Sequence, residues 1–278
     1  MSGEDGTVGG NAKASAGPGA AAILVAAGRG ERAGSDIPKQ FLVLEGRPLF
    51  IHALAVLVAS PRIAQTTVVV PNGWEQQADD MVVAAQLPRH AVKIVAGGAR
   101  RQDSVSEGLR TLGTEALVLV HDAARPCLSA SLVDRTIDAA RQCGAATAAL
   151  PITDTVMRAA TPATEIVDRT GLWAVQTPQV FETGLLRAAH AHARAQCIDS
   201  SDDCTLVLEL GREVRFVPGD WWNIKVTAPK DLERARWILR SGVIAASSAM
   251  DEEWAGERMQ AAHDGSDTEA HAPKGREP

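Results

Sequence analysis

The sequence contains no long run of lysine and arginine, and its charges are unevenly distributed. The net charge of −6 lies in the two ends: residues 243–278 hold eight acidic and three basic residues, and residues 1–18 hold two acidic and one basic. The body between them is therefore neutral. A neutral body lacks the electrostatic footprint that non-specific nucleic-acid binding requires, so no nucleic-acid partner is expected.

Cysteine is scarce, and its spacing argues against a zinc site and against a disulfide framework. Cys127, Cys143, Cys197 and Cys204 form no C-x-x-C pair and have no histidine cluster nearby, so a zinc site is not expected. Scattered thiols in a chain of this length are typical of a reduced intracellular protein rather than of a disulfide framework. The seven histidines show no metal-ligand spacing either. No protein metal ligand is predicted.

Long apolar runs are also missing. The only N-terminal run, Ala20–Ala27, is too short to cross a bilayer and lacks the basic flank and cleavage site of a signal peptide. We therefore expect a cytoplasmic protein without a membrane partner. Residues 1–18 and 245–278 have the composition of disordered tails, because they offer little apolar surface to bury. One domain is predicted between them, over residues 19–244.

Short apolar runs alternate with helical periodicity through this body. The predicted strands are 22–25, 66–70, 92–95, 116–120, 145–150 and 214–217, and the predicted helices are 48–59, 74–85, 102–112, 131–142, 184–195, 203–210 and 230–239. Continuous apolar strands separated by helices indicate an α/β, Rossmann-like fold with a mostly parallel central sheet and helices on both faces. Ligands bind such sheets beyond the carboxyl ends of the strands.

Residues 151–180 interrupt the alternation. Residues 156–158 and 165–169 can pair as a hairpin around Thr161-Pro162-Ala163. Such an arm, at about 152–175, is too small to have a core of its own, so we expect it to pack on a second subunit of a homodimer.

The glycine-rich segment after the first strand allows two interpretations. Residues 28–33 read Gly-x-Gly-x-x-Ala, which fits a dinucleotide-binding turn. However, no good helix begins until about Pro48, and the segment carries Arg29, Arg32 and Lys39. Backbone amides freed by glycine, together with cations, suit a triphosphate and its transition state. The phosphate-binding interpretation fits the whole loop better.

Eight polar segments occur in order between residues 22 and 239. They are Ala26-Ala27-Gly28-x-Gly30-x-Arg32 with Pro38-Lys39-Gln40, Gly97-Gly98-x-x-Arg101-x-x-Ser104-Val105, Val120-His121-Asp122-Ala123-Ala124-Arg125-Pro126, Asp154-Thr155, Asp168-Arg169-x-Gly171-Leu172-Trp173, Gln176-Thr177-Pro178-Gln179, Asp202-Asp203 and Asn223-Ile224-Lys225-Val226-Thr227. Together they resemble the 2-C-methyl-D-erythritol 4-phosphate cytidylyltransferase family of the non-mevalonate isoprenoid pathway.

The resemblance implies a nucleotidyltransferase that joins CMP from CTP to a polyol phosphate and releases pyrophosphate. It implies four catalytic residues: Arg32 and Lys39 at the α-phosphate, and Arg169 and Lys225 at the acceptor phosphate, with Arg169 reaching into the partner's site. The implied CTP contacts are Ala26, Ala27, Gly28, Gly30, Gly98, Ser104 and Ala123. The implied acceptor contacts are Asp122, Arg125, Thr155, Arg169, Thr177 and Lys225.

Magnesium is the expected cofactor, bridging the CTP phosphates and keeping most of its water. Asp122 has two possible roles here, as a contact to the metal's water shell or the acceptor, or as a cap of the following turn.

Three alternative functions stay open at this point. One is a cytidylyltransferase for another polyol phosphate, such as ribitol 5-phosphate, because the first loop would look much the same. Another is a nicotinamide-dependent dehydrogenase, although the expected acidic residue after the glycine turn is missing. The last is a non-catalytic nucleotide-binding or scaffold protein, which the retained Lys39, Arg32, Arg169 and Lys225 argue against.

Overall fold

The structure is a computed structural model that describes residues 19–28, 37–159 and 164–246. The strands are β1 (Ala20–Val25), β2 (Val43–Leu44), β3 (Arg47–Pro48), β4 (Ile63–Val70), β5 (Val92–Ala96), β6 (Leu117–Asp122), β7 (Ala145–Pro151), β8 (Val156–Ala159), β9 (Thr164–Val167), β10 (Trp173–Glu182) and β11 (Arg215–Pro218). The helices are α1 (Leu49–Ala59), α2 (Glu75–Ala84), α3 (Arg101–Arg110), α4 (Ala130–Cys143), α5 (Thr183–Ala195), α6 (Asp203–Leu208), α7 (Pro229–Ser241) and α8 (Val243–Ala246).

Seven strands of the described ranges form one twisted layer, in the order β11-β7-β10-β6-β1-β4-β5. β1 pairs in parallel with β4 and β6, and β5 and β11 are parallel to their own neighbours. β10 is antiparallel to both β6 and β7. The prediction of a mostly parallel central sheet is confirmed.

Alternate residues of β1 separate the two halves of the core. Ala22 and Leu24 belong to a buried cluster with apolar residues of α1, α2 and α4. Ala21 and Ile23 belong to a second cluster with residues of α3, α5 and α6. Side chains alternate between the faces of a strand, so both faces of this fully apolar strand are covered by helices, as expected.

The predicted hairpin is present as β8 and β9, with Val156 opposite Val167, and it forms a two-stranded sheet apart from the main one. The sequence analysis missed β10, which begins inside the segment assigned to the arm. Pro178 and three buried polar residues conceal this strand, and its pairing with β7 is interrupted between Val175 and Gln179. Proline has no N–H to donate, so it is tolerated where ladder pairing is broken.

Several element boundaries differ from the sequence prediction by a few residues, and two of the differences affect the site or the extent of the domain. β6 continues through His121 and Asp122 and does not end at Val120, which places the Asp122 side chain at the very end of a buried strand. α8 runs to Ala246, two residues beyond the predicted end of the domain. Within the described residues, no helix is long and apolar enough to cross a membrane.

Candidate nucleotide-binding site

A cleft of about 1270 Å³ opens at the carboxyl edge of the sheet. The strands β1, β4, β5 and β6 run in parallel, so the segments that follow them meet there. The residues that line the cleft come from these segments and from two distant ones: Val25, Ala26, Ala27, Gly28, Lys39, Gln40, Pro71, Asn72, Trp74, Gly97, Gly98, Ala99, Arg100, Arg101, Ser104, Asp122, Ala124, Lys225 and Thr227. The cleft lies where an open parallel sheet binds its ligands.

The loop after β5 packs tightly against the loop after β1. A Cβ atom on Gly97 would lie 2.4 Å from the Cβ of Ala27 and 2.7 Å from the hydroxyl of Ser104, closer than real side chains approach. The amide of Gly97 also donates to the carbonyl of Val70 at 2.7 Å. Only glycine therefore allows these two backbone segments to form one wall of the cleft.

The hydroxyl of Ser104 closes the turn that opens α3. It accepts a hydrogen bond from the Gly98 amide at 3.2 Å and donates to the Arg100 carbonyl at 3.0 Å. A Cβ atom on Gly98 would lie 2.4 Å from the Cβ of Asp103. The turn is thus held by its own residues.

Gln40 fixes the other side of the cleft. Its buried amide group donates to the carbonyl of Ala26 and, at 2.7 Å, to the carbonyl of Gly28. Its role was not predicted from the sequence, although a motif contains it. Its bonds hold the backbone of residues 26–28 where the chain leaves β1.

Lys39 reaches the cleft from the short 3₁₀ helix at Lys39–Phe41. Its ammonium donates to the carbonyl of Val226 at 2.8 Å, next to Lys225 in the chain. Both lysines line the cleft. Residues predicted from two remote motifs are therefore brought together, whereas Gly30 and Arg32 lie outside the described residues.

Asp122 joins two cations at the end of β6. Its Oδ1 accepts from Nε of Arg101 at 3.0 Å, and its Oδ2 accepts from Nζ of Lys225 at 2.6 Å. Burial alone raises the pKa of this carboxyl, but the charges of Arg101 and Lys225 outweigh burial and hold the pKa well below its usual range. Asp122 is therefore ionised at neutral pH.

A second buried carboxylate lies behind Arg101. Nη1 of Arg101 donates to Oδ2 of Asp203 at 2.7 Å, and Nε2 of His190 lies 3.0 Å from Oδ1 of the same carboxylate. Burial works against the charge of Arg101, but Asp203 and Asp122 outweigh it and raise the guanidinium pKa further above its usual value. The sequence analysis gave Arg101 and Asp203 no role, and only their place in the motifs singled them out.

Three predicted contact residues lie beneath the cleft or beside it. Thr177 is buried and accepts from the Asp122 amide at 3.0 Å through its hydroxyl, which also bonds Nδ1 of His121. Ala123 is fully buried, and its neighbour Ala124 lines the cleft in its place. Arg125 donates to the Asn223 carbonyl at 2.7 Å. Their predicted ligand contacts stay predictions, and these bonds show them supporting the backbone around Asp122.

Thr155 and Arg169 lie at the base of the hairpin and are exposed. Arg169 donates to the carbonyl of Thr153 at 2.6 Å. Neither residue lines the cleft of its own chain. The structure therefore does not bring them together with the other predicted site residues within one subunit.

Comparison with known proteins identifies the family of this chain. The family model for 2-C-methyl-D-erythritol 4-phosphate cytidylyltransferase matches residues 20–241. A protein of that name from Desulforamulus reducens is 39% identical over 227 residues, which cover 79% of this chain and 95% of the relative. The chain belongs to this family.

Solved structures of the family share the fold. The crystal structure of 2-C-methyl-D-erythritol 4-phosphate cytidylyltransferase from Thermus thermophilus is 38% identical, has a TM-score of 0.65, and covers 78% of this chain and 98% of its own. The 4-diphosphocytidyl-2C-methyl-D-erythritol synthase from Anaerococcus prevotii has a TM-score of 0.71 at 26% identity, with coverage of 80% and 96%. The resemblance drawn from the eight motifs is confirmed. Family membership makes the chain a nucleotidyltransferase and decides against the dehydrogenase and the scaffold.

The carboxylates near the cleft bear on where a metal ion could bind. The described residues contain no group of three or more histidine, cysteine, aspartate or glutamate side chains placed to hold a metal ion. Both carboxylate oxygens of Asp122 accept hydrogen bonds from cations, Oδ1 from Arg101 and Oδ2 from Lys225. Magnesium bound through the CTP phosphates stays a prediction.

Proposed function

We propose that the cleft transfers CMP from CTP to 2-C-methyl-D-erythritol 4-phosphate in isoprenoid precursor biosynthesis, releasing pyrophosphate and forming 4-diphosphocytidyl-2-C-methyl-D-erythritol. Family membership supports the reaction, and one observation about the site supports its location. Lys39 and Lys225 come from opposite ends of the domain, and both line the cleft together with the glycines of the loops after β1 and β5. The ammonium of Lys39 donates to the carbonyl of Val226, the residue after Lys225. Two anionic substrates require such an arrangement of cations and backbone amides.

The reaction is an in-line displacement. A phosphate oxygen of the acceptor attacks the α-phosphorus of CTP, a new phosphoanhydride bond forms, and the bond to the β-phosphate oxygen breaks, so that pyrophosphate leaves. The attacking phosphate is already ionised and needs no general base. Catalysis therefore rests on positioning the two anions and on stabilising the added negative charge.

The nucleotide side of the cleft suits CTP. We assign the triphosphate to the backbone amides of Gly28 and Gly30, and the charge of the pentacoordinate α-phosphorus to Lys39 and Arg32. We assign the cytosine to Ala26, Gly98 and Ser104, and the ribose to Ala27; the ribose contact implied for Ala123 is left out, because this residue is fully buried. The bond from Gln40 to Gly28 supports the triphosphate assignment, and the bond between Ser104 and Gly98 supports the cytosine assignment, because each holds a loop backbone in position. Magnesium bound to the CTP phosphates would neutralise part of the triphosphate charge.

We place Lys225, whose side chain is 42% exposed, on the acceptor side of the cleft. We assign the acceptor phosphate to Lys225 and to Arg169 of a second subunit, since Arg169 does not line the cleft of its own chain. Exposed apolar side chains on the arm, Met157 and Ile166, support a homodimer, because such residues are usually covered. The cytoplasmic location stays a prediction, and all four cysteines are free.

The proposed reaction is tested with a panel of substrates. The protein, Mg²⁺ and one of four nucleoside triphosphates are incubated with methylerythritol phosphate or ribitol 5-phosphate, and pyrophosphate release is followed. We expect rapid release with CTP and methylerythritol phosphate, and little with the other nucleotides. Faster turnover of ribitol 5-phosphate would overturn the acceptor assignment and leave the reaction class intact. No release with either acceptor would overturn the proposed reaction.

A further inference from the structure

A chain of hydrogen-bonded polar side chains leads from α5 into the cleft. It runs from His190 through Asp203, Arg101 and Asp122 to Lys225, with successive distances of 3.0, 2.7, 3.0 and 2.6 Å. The side chains at its inner end, His190 and Asp203, are 3% and 1% exposed, whereas Lys225 at the other end is 42% exposed. One end is thus fixed inside the protein and the other meets solvent in the cleft.

The orientation of the Arg101 guanidinium is fixed by this chain. Nε and Nη1 donate to two different carboxylates, so the plane of the group is set by both. Asp203 is the first residue of α6 and also contacts His190 on α5, which ties this end to two packed helices. Lysine cannot reproduce the arrangement, because its ammonium is a single point charge without the planar fork of arginine.

Arg101 in turn fixes Asp122. The Asp122 amide is held by Thr177, and Oδ1 is held by Arg101, so Oδ2 is left in a defined position. Lys225 binds that oxygen. A buried carboxylate that lost Arg101 would be poorly compensated, since an ionised group out of water requires a partner. The position of the Lys225 ammonium therefore depends on a residue that it does not touch.

We propose that Arg101, anchored by Asp203, is a positioning residue for the acceptor phosphate: it orients Asp122, which holds Lys225 at the acceptor end of the cleft. The inference rests on the proposed function and adds to it a residue pair to which the family resemblance gave no role. It also predicts which substrate is affected. The loops assigned to CTP are held by Gln40 and Ser104, without Arg101.

The test compares Arg101→Lys and Asp203→Asn with the wild-type protein, measuring steady-state kinetics for the acceptor and the equilibrium Kd for Mg-CTP. We expect kcat/KM for the acceptor to fall by roughly 10- to 100-fold in Arg101→Lys, mainly through KM, as a misplaced binding group would cause. Asp203→Asn, which lies outside the cleft lining, should lose about tenfold, and the double variant should lose no more than Arg101→Lys, because the two residues act as one unit. The Kd for Mg-CTP should stay within about twofold of wild type, since its loops are untouched.

Two further variants make the result decisive. Arg110→Gln on the same helix removes an exposed arginine whose ion pair within the described ranges is with Glu107, and it should behave as wild type. Asp203→Glu keeps the negative charge, so its kcat/KM for the acceptor should lie between those of Asp203→Asn and wild type. If Asp203→Asn lost activity only by misfolding, restoring the charge would not be expected to raise kcat/KM.

The outcomes separate the inference from the function beneath it. Nη2 of Arg101 has no hydrogen-bond partner among the described residues, so a direct contact with CTP is the rival role. A Kd for Mg-CTP that rises as much as the acceptor KM would favour this rival and overturn the inference, as would Arg101→Lys kinetics equal to those of Arg110→Gln. A wild-type protein that forms no cytidylyl product overturns the proposed function itself.

Discussion

His121 lies directly beneath the cleft and takes no part in the proposed chemistry. It is fully buried, with Nδ1 3.1 Å from the Thr177 hydroxyl and Nε2 3.2 Å from the Arg125 carbonyl. Burial lowers its pKa to about 4. The ring is therefore neutral at neutral pH, and its two bonds support the backbone on either side of Asp122.

This buried ring predicts how stability depends on pH. The unfolded chain takes up the His121 proton near pH 6.5 and the folded chain only near pH 4, so the free energy of unfolding falls as pH decreases between these values, by about 3 kcal/mol in total. His121→Gln removes the titrating group, so the free energy of unfolding of this variant should change less than that of the wild type between pH 6.5 and pH 4. Urea unfolding at several pH values measures both profiles. His52, whose pKa is also lowered by burial, is present in both proteins.

Parallel profiles for the two proteins would show that His121 titrates alike in the folded and unfolded chains. That result would contradict its assignment as a neutral structural group.

The place of a residue in the site could be predicted from the sequence where the residue belongs to a recognisable motif. Lys39, Asp122 and Lys225 each lie in a polar segment at a predicted strand end or loop, and the structure brings them to one cleft. Arg101 and Asp203 were quoted in motifs but given no role, because their importance lies in their contact. They are 102 positions apart, and no local pattern indicates which distant charge a side chain will meet.

At the scale of elements, the wall between the loops after β1 and β5 depends on close backbone approach. Replacing Gly97 with alanine places a methyl group against Ala27, and the loops must move apart. We expect Gly97→Ala to lower stability by about 1–3 kcal/mol, as overpacking does. The Kd for Mg-CTP should rise by about tenfold, which corresponds to about 1.4 kcal/mol of binding free energy, because the loop backbones assigned to CTP would move apart.

Gly184→Ala is the matched control for this substitution. Gly184 lies in the first turn of α5, and a Cβ atom there meets nothing within 4 Å. Alanine at such a site stabilises a helix by about 0.4–1 kcal/mol, so the same chemical change should act with the opposite sign. Thermal unfolding and calorimetric CTP binding measure both variants. Unchanged CTP binding in Gly97→Ala would contradict the role given to the loop contact.

Most elements were predictable, because continuous apolar strands and amphipathic helices carry their own signal. β10 was not, although it lies in the middle of the sheet between β6 and β7. Its residues Gln176, Thr177 and Gln179 are buried, and each makes a long-range hydrogen bond, with Asp220, Asp122 and Asp202 respectively. A strand whose polar residues are paired only in the folded state looks like a loop in the sequence.

At the scale of the whole molecule, the arm decides whether one site needs two subunits. Arg169→Ala should raise KM for the acceptor and leave CTP binding nearly unchanged, whereas Lys39→Ala should lower kcat by about 10²–10³-fold, because Lys39 acts where charge develops. Mixing the two impaired variants should restore part of the activity, up to half of wild type in each heterodimer, since one of its two sites then carries neither lesion.

Subunit exchange is verified separately with differently tagged variants. Exchange without recovery of activity would contradict a site shared between subunits, because each site would then carry one lesion.

The two ends of the chain are predicted to be dispensable. Residues 1–18 and those beyond α8 have compositions that cannot offset the entropy cost of ordering. A chain trimmed to residues 19–246, which keeps α8 complete, should retain its kcat, KM and melting temperature. Loss of more than half of the activity, or a clearly lower melting temperature, would show that one end contributes to the folded body.

The most direct measurement follows the oxygen that forms the new bond. Methylerythritol phosphate with an ¹⁸O-labelled phosphate is incubated with CTP, Mg²⁺ and the protein, and the products are analysed by mass spectrometry. Attack of the acceptor phosphate on the α-phosphorus predicts that all the label appears in diphosphocytidyl-methylerythritol and that the pyrophosphate is unlabelled. Label in pyrophosphate, or no cytidylyl product at all, would contradict the account.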